Sequence, residues 1–342
     1  MKKRNIVIIP GDGIGPNITE AVQKVLEASG ARIEWIERQA GLAALEKGSE
    51  VLPQETIEAI REHKVALKGP CTTPIGGGFT SVNVQLRKTL DLYAAVRPVR
   101  NLPGVVTGFR NVDIVIIREN TEGLYSGVEN TITPGVVMSM KVATEKACSR
   151  ISHWAFEYAR NRNRKKVTVF HKANIMKLTD GLFISKSQEA SREYGGIQYE
   201  ELIIDAGCMR LVQNPSQFDV LLLENLYGDL ISDLCAGLVG GLGVIPGANI
   251  GDREAVFEAV HGSAPDIAGR DIANPLALLM SGVMMLNHLA DTEGREDFRA
   301  CAEKIKNAYN NALLEGYKTR DLGGGLGTRE FADALIKRIE KG

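Results

Sequence analysis

The chain has 342 residues and 44% of them are hydrophobic, enough for about two lobes with a sizeable core. Its 41 basic and 42 acidic residues leave a formal net charge of −1, so it offers no electrostatic footprint for nucleic acid or an anionic membrane. No apolar run approaches the ~20 residues that a spanning helix needs. The start, MKKRNIVIIPGDGIG, carries an apolar run too short for a signal peptide. Cys71, Cys148, Cys208, Cys235 and Cys301 are scattered, odd in number and without CxxC spacing. That pattern predicts reduced thiols in a cytoplasmic protein, not a disulfide framework or a zinc site.

Residues 5–10 read as a buried strand that ends in Gly11-Asp12-Gly13-Ile14-Gly15-Pro16, with Pro16 in the first turn of a helix to about residue 28. This run is not G-x-G-x-x-G, and no acidic residue closes a clear second strand about twenty residues on. A tight strand-to-helix turn is the reading that remains. A strand near 32–37, a helix over 53–63 and a strand over 65–68 continue the alternation, which predicts an α/β fold with parallel character.

The next stretch carries chemistry. Gly76-Gly77-Gly78 has the composition of a mobile loop, and Ser81 is a candidate N-cap for a short helix that ends near Arg87. A strand over 92–96 delivers Arg97, and the apolar run 112–117 closes at Arg118. Three arginines at the ends of neighbouring elements make a candidate pocket for several carboxylates, each charged hydrogen bond contributing about 1.5–3 kcal/mol. Taken singly, each also fits a solvated surface charge.

Residues 123–142 read as a hairpin around Thr133-Pro134-Gly135. Their apolar, β-branched content predicts a protruding arm that pairs with another chain. Thr144 is a candidate cap for a helix to about 161, with Ala147, Ile151, Ala155 and Tyr158 at helical spacing. A strand over 166–171 leads into Lys172-Ala173-Asn174-Ile175-Met176-Lys177, and a strand over 199–204 ends at Asp205. The strand over 218–223 leads to a helix on which Asp229 and Asp233, four apart, share a face. With Asp205 they form an oxygen-rich set suited to Mg²⁺ or Mn²⁺. A solvated face is the alternative for the pair, but its apolar, glycine-rich surroundings argue against unpaired charge there. The loop from Glu258 through Asn274 is rich in Gly, Ser and Pro, and is either an adenosine site or an ordinary surface loop. Helices from 276, over 295–315 and over 328–339 finish the chain. His63, His153 and His288 fall in helical patterns and read as structural.

Read together, GDGIGP at 11–16, the 81–97 stretch, RENTEGLYSG at 118–127, HKANIMK at 171–177, NLYGDLISD at 225–233 and HGSAPDIAG at 261–269 resemble the β-decarboxylating dehydrogenases, the family of isocitrate, isopropylmalate, homoisocitrate and tartrate dehydrogenases. The resemblance spans nearly the whole chain. It implies an isopropylmalate-dehydrogenase-like, two-lobed α/β fold that is not of the Rossmann type. The large lobe is expected at 1–100 and 240–342, and the small lobe at 101–239, with a clasp hairpin at about 123–142 that builds a dimer.

By the same resemblance, Arg87, Arg97 and Arg118 bind substrate carboxylates, and Tyr125 and Lys172 are the acid–base pair. Asp205, Asp229 and Asp233 are the metal ligands, and Thr72 and Asn174 lie beside the nicotinamide. Glu258, His261, Gly262, Ser263, Ala264, Asp266, Ile267 and Asn274 hold the rest of the cofactor. Each site is expected to be shared in a homo-oligomer, at least a dimer: Arg87, Arg97, Arg118, Tyr125, Asp229 and Asp233 from one chain, Lys172 and Asp205 from its partner. Within the family, Ser-x-Asn marks isocitrate enzymes, apolar residues mark isopropylmalate enzymes and added arginine marks homoisocitrate enzymes. Ser81-Val82-Asn83 therefore implies isocitrate. The family's NADP users typically carry Lys-Tyr where this chain has Asp266-Ile267. A carboxylate there accepts hydrogen bonds from ribose hydroxyls and repels a 2′-phosphate, which implies NAD. The expected activity is NAD-dependent oxidative decarboxylation of isocitrate with Mg²⁺ or Mn²⁺. A homoisocitrate or dual-specificity enzyme, or a non-catalytic regulatory subunit, is the alternative.

Overall fold

A computed structural model describes residues 2–73 and 80–341, so the Gly76-Gly77-Gly78 loop lies outside the described residues. The chain begins with β1 (Arg4–Ile9), α1 (Gly15–Ala28), β2 (Ile33–Glu37), α2 (Leu42–Glu46), α3 (Gln54–His63), β3 (Val65–Lys68) and α4 (Val82–Thr89). It continues with β4 (Ala94–Arg100), β5 (Asp113–Glu119), β6 (Gly123–Thr133), β7 (Val136–Val142), α5 (Glu145–Asn161), β8 (Lys166–His171) and α6 (Thr179–Ser191). Then come β9 (Gln198–Ile203), α7 (Ile204–Gln213), β10 (Val220–Leu223), α8 (Asn225–Val239), β11 (Pro246–Ile250) and β12 (Ala255–Ala259). Three long helices close it: α9 (Leu276–Glu293), α10 (Glu296–Leu314) and α11 (Thr328–Lys341).

One ten-stranded sheet runs in the order β2-β1-β3-β12-β11-β4-β5-β10-β8-β9. Most neighbours are parallel, and strands such as β3 and β10 are buried along their whole length. Continuous apolar runs of this kind are what a sheet covered on both faces requires. The sheet is mixed, however, because β11 is antiparallel to both β12 and β4, and β4 is antiparallel to β5. The link from β11 to β12 is four residues long, closed by Gly251 N–H donating to the Glu254 carbonyl, and a link that short permits only an antiparallel return. Neither strand was legible in the sequence: Pro246-Gly247-Ala248-Asn249 has poor strand composition, and Pro is tolerated because it opens the strand.

Two boundaries also move. Arg97 lies inside β4 and not beyond its end. Asp205 lies in the first turn of α7, because β9 stops at Ile203 and the helix starts without a loop. Two consecutive isoleucines carry no signal for that break. Thr144 caps α5 as expected, its Oγ1 accepting from Ala147 N at 3.2 Å. Ser81 occupies the N-cap position of α4 but makes no side-chain cap bond.

β6 and β7 form their own two-stranded sheet, with Gly135 at φ 84° in the turn. Its Ile132, Val136, Val137 and Met140 side chains are exposed, which makes a contiguous apolar edge of the kind that proteins usually cover.

Candidate active site

The antiparallel pairing of β4 with β5 sets Ala95 opposite Arg118, which brings Arg97, two residues on, to the same face of the sheet. Both arginines run beneath α8. A Cβ on Gly228 would fall 2.5 Å from Arg118 Cγ, so the glycine of NLYGD is there to let that side chain pass. Arg118 is fully buried; its Nε and Nη2 donate to Asn225 Oδ1 at 3.0 and 2.7 Å, and its Nη1 donates to Asp229. Arg97 donates to Ser232, and its Nη1 lies 3.4 Å from Asp229 Oδ1 and 3.8 Å from Asp233 Oδ1. The Tyr125 hydroxyl donates to the other oxygen of Asp229 at 2.5 Å, and the Arg118 guanidinium stands 5.0 Å from the Tyr125 ring centre.

The charges in this cluster are held at a cost. Burial, and then its neighbours Arg118 and Arg87, push Arg97 down to about 10. Burial likewise lowers Arg87. Burial works to raise Asp229, yet Arg118, Tyr125 and Arg97 together hold it below the usual carboxylate range. Asp233 is raised by burial. Burial and the bond to Asp229 raise the Tyr125 phenol, which keeps its proton. Counting Lys68 beside them, the three buried guanidiniums face Asp229, Glu258 and the more exposed Asp233 among the described residues, which leaves the pocket short of negative charge. Arg87 Nε and Asn83 Oδ1 are buried without a hydrogen-bond partner among the described residues. Such atoms point to a ligand that completes them.

Arg87 leans on Glu258, its Nη2 3.5 Å from Oε1. Glu258 also takes Lys68 Nζ at 2.7 Å and Asn249 Nδ2 at 2.7 Å. Burial opposes its charge, but Lys68 and Arg87 prevail and hold it at about 2. The structure thus sets Glu258 behind Arg87 as a counter-ion.

Lys172 and Asp205 meet elsewhere. Lys172 follows β8, Asp205 opens α7, and Lys172 Nζ lies 2.5 Å from Asp205 Oδ1. That bond lowers the Asp205 carboxyl. Asn174 is exposed in the turn after Lys172. Among the described residues no three His, Cys, Asp or Glu side chains converge as a metal site. Asp229 and Asp233 stand beside Arg97, and Asp205 stands with Lys172. Their carboxylate oxygens are the hard donors that Mg²⁺ or Mn²⁺ prefers, and Asp233 is open to solvent on this face.

The GDGIG turn forms a hub. Asp12, itself buried, accepts from Leu42 N at 3.1 Å, Ala43 N at 2.9 Å and Thr72 N at 2.8 Å. Ile14 N–H donates to the Ser263 carbonyl at 2.8 Å, and the Thr72 and Ser263 hydroxyls are 2.6 Å apart. Gly13, at φ 59°, lies so close to the Ser263 carbonyl that no Cβ would fit. The turn therefore clamps the Thr72 segment to the 261–274 loop.

That loop walls a cavity of about 260 Å³ lined by Ile14, His261, Ala264, Ile267, Asn274 and Asp321, among others. Gly262 lies on its rim, Ser263 faces Thr72, and Asp266 is exposed. Burial lowers His261, so its ring is neutral near pH 7. With Nδ1–H donating to the Gly262 carbonyl at 3.0 Å, Nε2 is left as a buried acceptor with no partner among the described residues. Asn274 Nδ2 donates to Asp321 Oδ2 at 2.9 Å. Apolar walls with a few fixed polar groups suit a nucleoside. Asp321 escaped sequence reasoning; its only signal is the neighbouring glycine run 323–325. A larger cavity, about 970 Å³ and walled by Trp154, Tyr158, Phe257 and His288, holds none of these residues.

The isocitrate/isopropylmalate dehydrogenase family model matches residues 5–335. The chain is 52% identical over 334 residues to the mitochondrial NAD isocitrate dehydrogenase catalytic subunit 5 of Arabidopsis thaliana, covering 97% of this chain and 87% of that one. It is 50% identical over 344 residues to a mitochondrial NAD isocitrate dehydrogenase regulatory subunit of Dictyostelium discoideum, covering 99% and 92%. The crystal structure of isocitrate dehydrogenase from Methylococcus capsulatus superposes with a TM-score of 0.93 at 47% identity, covering 98% of this chain and 99% of that one. The cytoplasmic placement expected from the thiols is overturned by these names, since the plant and slime-mould relatives are mitochondrial proteins. Free cysteines report reducing surroundings, which is a wider class than the cytoplasm. With the match running from the first strand into the last helix, the chain belongs to the isocitrate/isopropylmalate dehydrogenase family.

Proposed function

We propose that the chain catalyses the NAD-dependent oxidative decarboxylation of isocitrate to 2-oxoglutarate and CO₂. The observation that carries this reading is the group of buried guanidiniums, Arg87, Arg97 and Arg118, with Tyr125 and Asp229 among them and with Glu258, the counter-ion of Arg87, shared with Lys68. A substrate bearing three carboxylates supplies the missing negative charge. The enzyme uses NAD and a divalent metal such as Mg²⁺ or Mn²⁺. When bound, the metal supplies Lewis acidity at the substrate's C2 oxygen, and NAD⁺ supplies the hydride acceptor. Asp229 and Asp233 of one chain, with Asp205 of the other, would hold the metal. The three arginines orient the substrate. Lys172 accepts or relays the hydroxyl proton, and Tyr125, kept protonated, delivers a proton to the carbon that loses CO₂.

The same reading divides the chain into a large lobe, 1–100 and 240–342, and a small lobe, 101–239. Strand order supports it: β2, β1, β3, β12, β11 and β4 fall in the first and β5, β10, β8 and β9 in the second. The sheet then changes lobe once, between β4 and β5, where Arg97 and Arg118 meet. The active unit is at least a homodimer with shared sites. Three observations support this: among the described residues Asp205 does not converge with Asp229 and Asp233, the apolar face of the clasp is exposed, and Met209, Val212 and Leu230 on α7 and α8 are exposed.

Overall likeness does not separate a catalytic from a regulatory subunit, since relatives of both names stand at 52% and 50% identity. The assembled Tyr125–Asp229 and Lys172–Asp205 contacts favour catalysis. Measuring kcat/KM on isocitrate, homoisocitrate and isopropylmalate, each with NAD⁺ and NADP⁺, tests the reading. The highest value is expected for isocitrate with NAD⁺. A higher value on homoisocitrate, or binding of isocitrate without turnover, would overturn it.

Cofactor choice is expected to follow residues 266 and 267. Replacing Asp266→Lys and Ile267→Tyr together exchanges repulsion of a 2′-phosphate for attraction. The NADP⁺-to-NAD⁺ ratio of kcat/KM should rise about tenfold or more, even if absolute rates fall. A wild type that already prefers NADP⁺ would show that the loop does not choose. Substrate choice is expected to follow Ser81, whose hydroxyl is not spent on capping α4, and Asn83, whose Oδ1 lacks a partner among the described residues. Ser81→Glu sets a carboxylate against a substrate carboxylate and should cut isocitrate turnover by about 10²-fold or more. Ser81→Leu should weaken isocitrate more than isopropylmalate; equal losses on both would remove the residue from substrate choice.

A further inference from the structure

A second buried charge group lies outside the arginine cluster. It joins three segments that are far apart in sequence: Lys141 on β7, Asp180 in the first turn of α6, and Glu224 at the N-cap of α8. Asp180 is 2% exposed. One of its oxygens accepts the Lys172 backbone N–H at 2.7 Å, and the other accepts Lys141 Nζ at 2.6 Å and the Thr179 hydroxyl at 3.3 Å. Burial, and then the Asp180 carboxylate beside it, raise the Tyr227 phenol. Lys141 Nζ stands 4.5 Å from the Tyr227 ring centre and 3.7 Å from Glu224 Oε1. Glu224 in turn accepts from Leu226 N at 3.3 Å and Tyr227 N at 3.1 Å, and so begins the helix that carries Asn225, Asp229 and Asp233.

Two buried carboxylates on one ammonium are a poor source of stability, since well-packed apolar side chains of the same volume do as well. What apolar side chains cannot supply is direction. A carboxylate that grips a backbone N–H fixes that residue's position, and a fully used polar network holds one arrangement. The gripped N–H belongs to Lys172, the first residue beyond β8, where the sheet ladder no longer holds the chain. The same ammonium approaches the cap of α8. We propose that Asp180 is a positioning residue, with Lys141 as its counter-ion, which sets Lys172 and the first turn of α8 in place for the reaction. The proposal rests on the function assigned above.

Kinetics with isocitrate, NAD⁺ and Mg²⁺ test it, together with hydrogen exchange read by mass spectrometry. Asp180→Asn keeps the shape and loses the charge. It is expected to lower kcat about tenfold or more, since a displacement of about 1 Å at a reacting group suffices for that, with KM for NAD⁺ nearly unchanged. In a Lys172→Met background the same replacement should cost several-fold less, because the part of its effect that runs through Lys172 is already lost and only the part through α8 remains. Exchange should accelerate in peptides covering 171–177 and 224–230 and stay unchanged over 4–9. Lys141→Met should act in the same direction and Lys141→Arg should recover most of the rate; this pair carries the test if Asp180→Asn does not fold. Equal losses in both backgrounds, or exchange that accelerates along the whole chain, would reduce Asp180 to a support of the fold and overturn the proposal. A wild type that does not turn over isocitrate would sink the assigned function instead, while the exchange pattern would still judge Asp180.

Discussion

Tyr125→Phe and Lys172→Met, each inactive alone, are expected to regain about a quarter of wild-type activity when unfolded together and refolded. Tyr125 bonds Asp229, and Lys172 bonds Asp205, in two groups with no hydrogen bond between them among the described residues of one chain. If a site takes Tyr125 from one chain and Lys172 from its partner, each parent dimer has two broken sites. A mixed dimer collects both lesions in one site and none in the other. Random pairing makes about half of the dimers mixed, each with one sound site of two, which gives the quarter under this symmetric scheme. Both lesions remove an acid–base group, and a cost of about 10²-fold or more apiece leaves a clean background. Tyr125 is a better choice here than Arg118, whose loss would strand Asn225 and Asp229 inside the protein and confuse folding with catalysis. No recovery, in a sample shown by mass to contain mixed dimers, would mean that each site is built within one chain.

Asp229→Asn is expected to act twice. Chelation of wild type should stop turnover, with Mg²⁺ or Mn²⁺ restoring it, and the variant should need far more metal and turn over about 10²-fold more slowly at best. It should also be less stable, because Asp229 is the near counter-ion of buried Arg118 and Arg97. Its side chain is 35% exposed, so solvent screening limits that loss to about 1–3 kcal/mol, read as a fall in Tm. Asp233→Asn separates the two effects. The Asp233 side chain is 58% exposed and only 3.8 Å from Arg97 at its nearest, so its loss should raise the metal requirement with little change in Tm. Full activity of either variant in metal-free buffer would rule the carboxylates out as metal ligands.

Local chemistry made much of the chain legible. Pro16 opens α1, Thr144 caps α5, and Gly135 turns the hairpin, because each of these choices is settled by the backbone dihedrals or one short-range bond. The three arginines and the carboxylate pair were visible as chemistry before their surroundings were known. Tertiary structure decided what they face. The reversal at β4 and β11 follows from strand partners and not from strand propensity, and it alone brings Arg97 beside Arg118. Glu258, read with the adenosine loop, also meets Lys68 and Arg87, since which charge a buried carboxylate faces depends on the whole sheet. Asp321 reaches Asn274 from 47 residues away, and Asp180 reaches Lys141 from 39, with no spacing that a sequence pattern repeats. Dihedral preferences act within a few residues of chain, whereas the pairing of buried polar groups is chosen only when distant segments pack together.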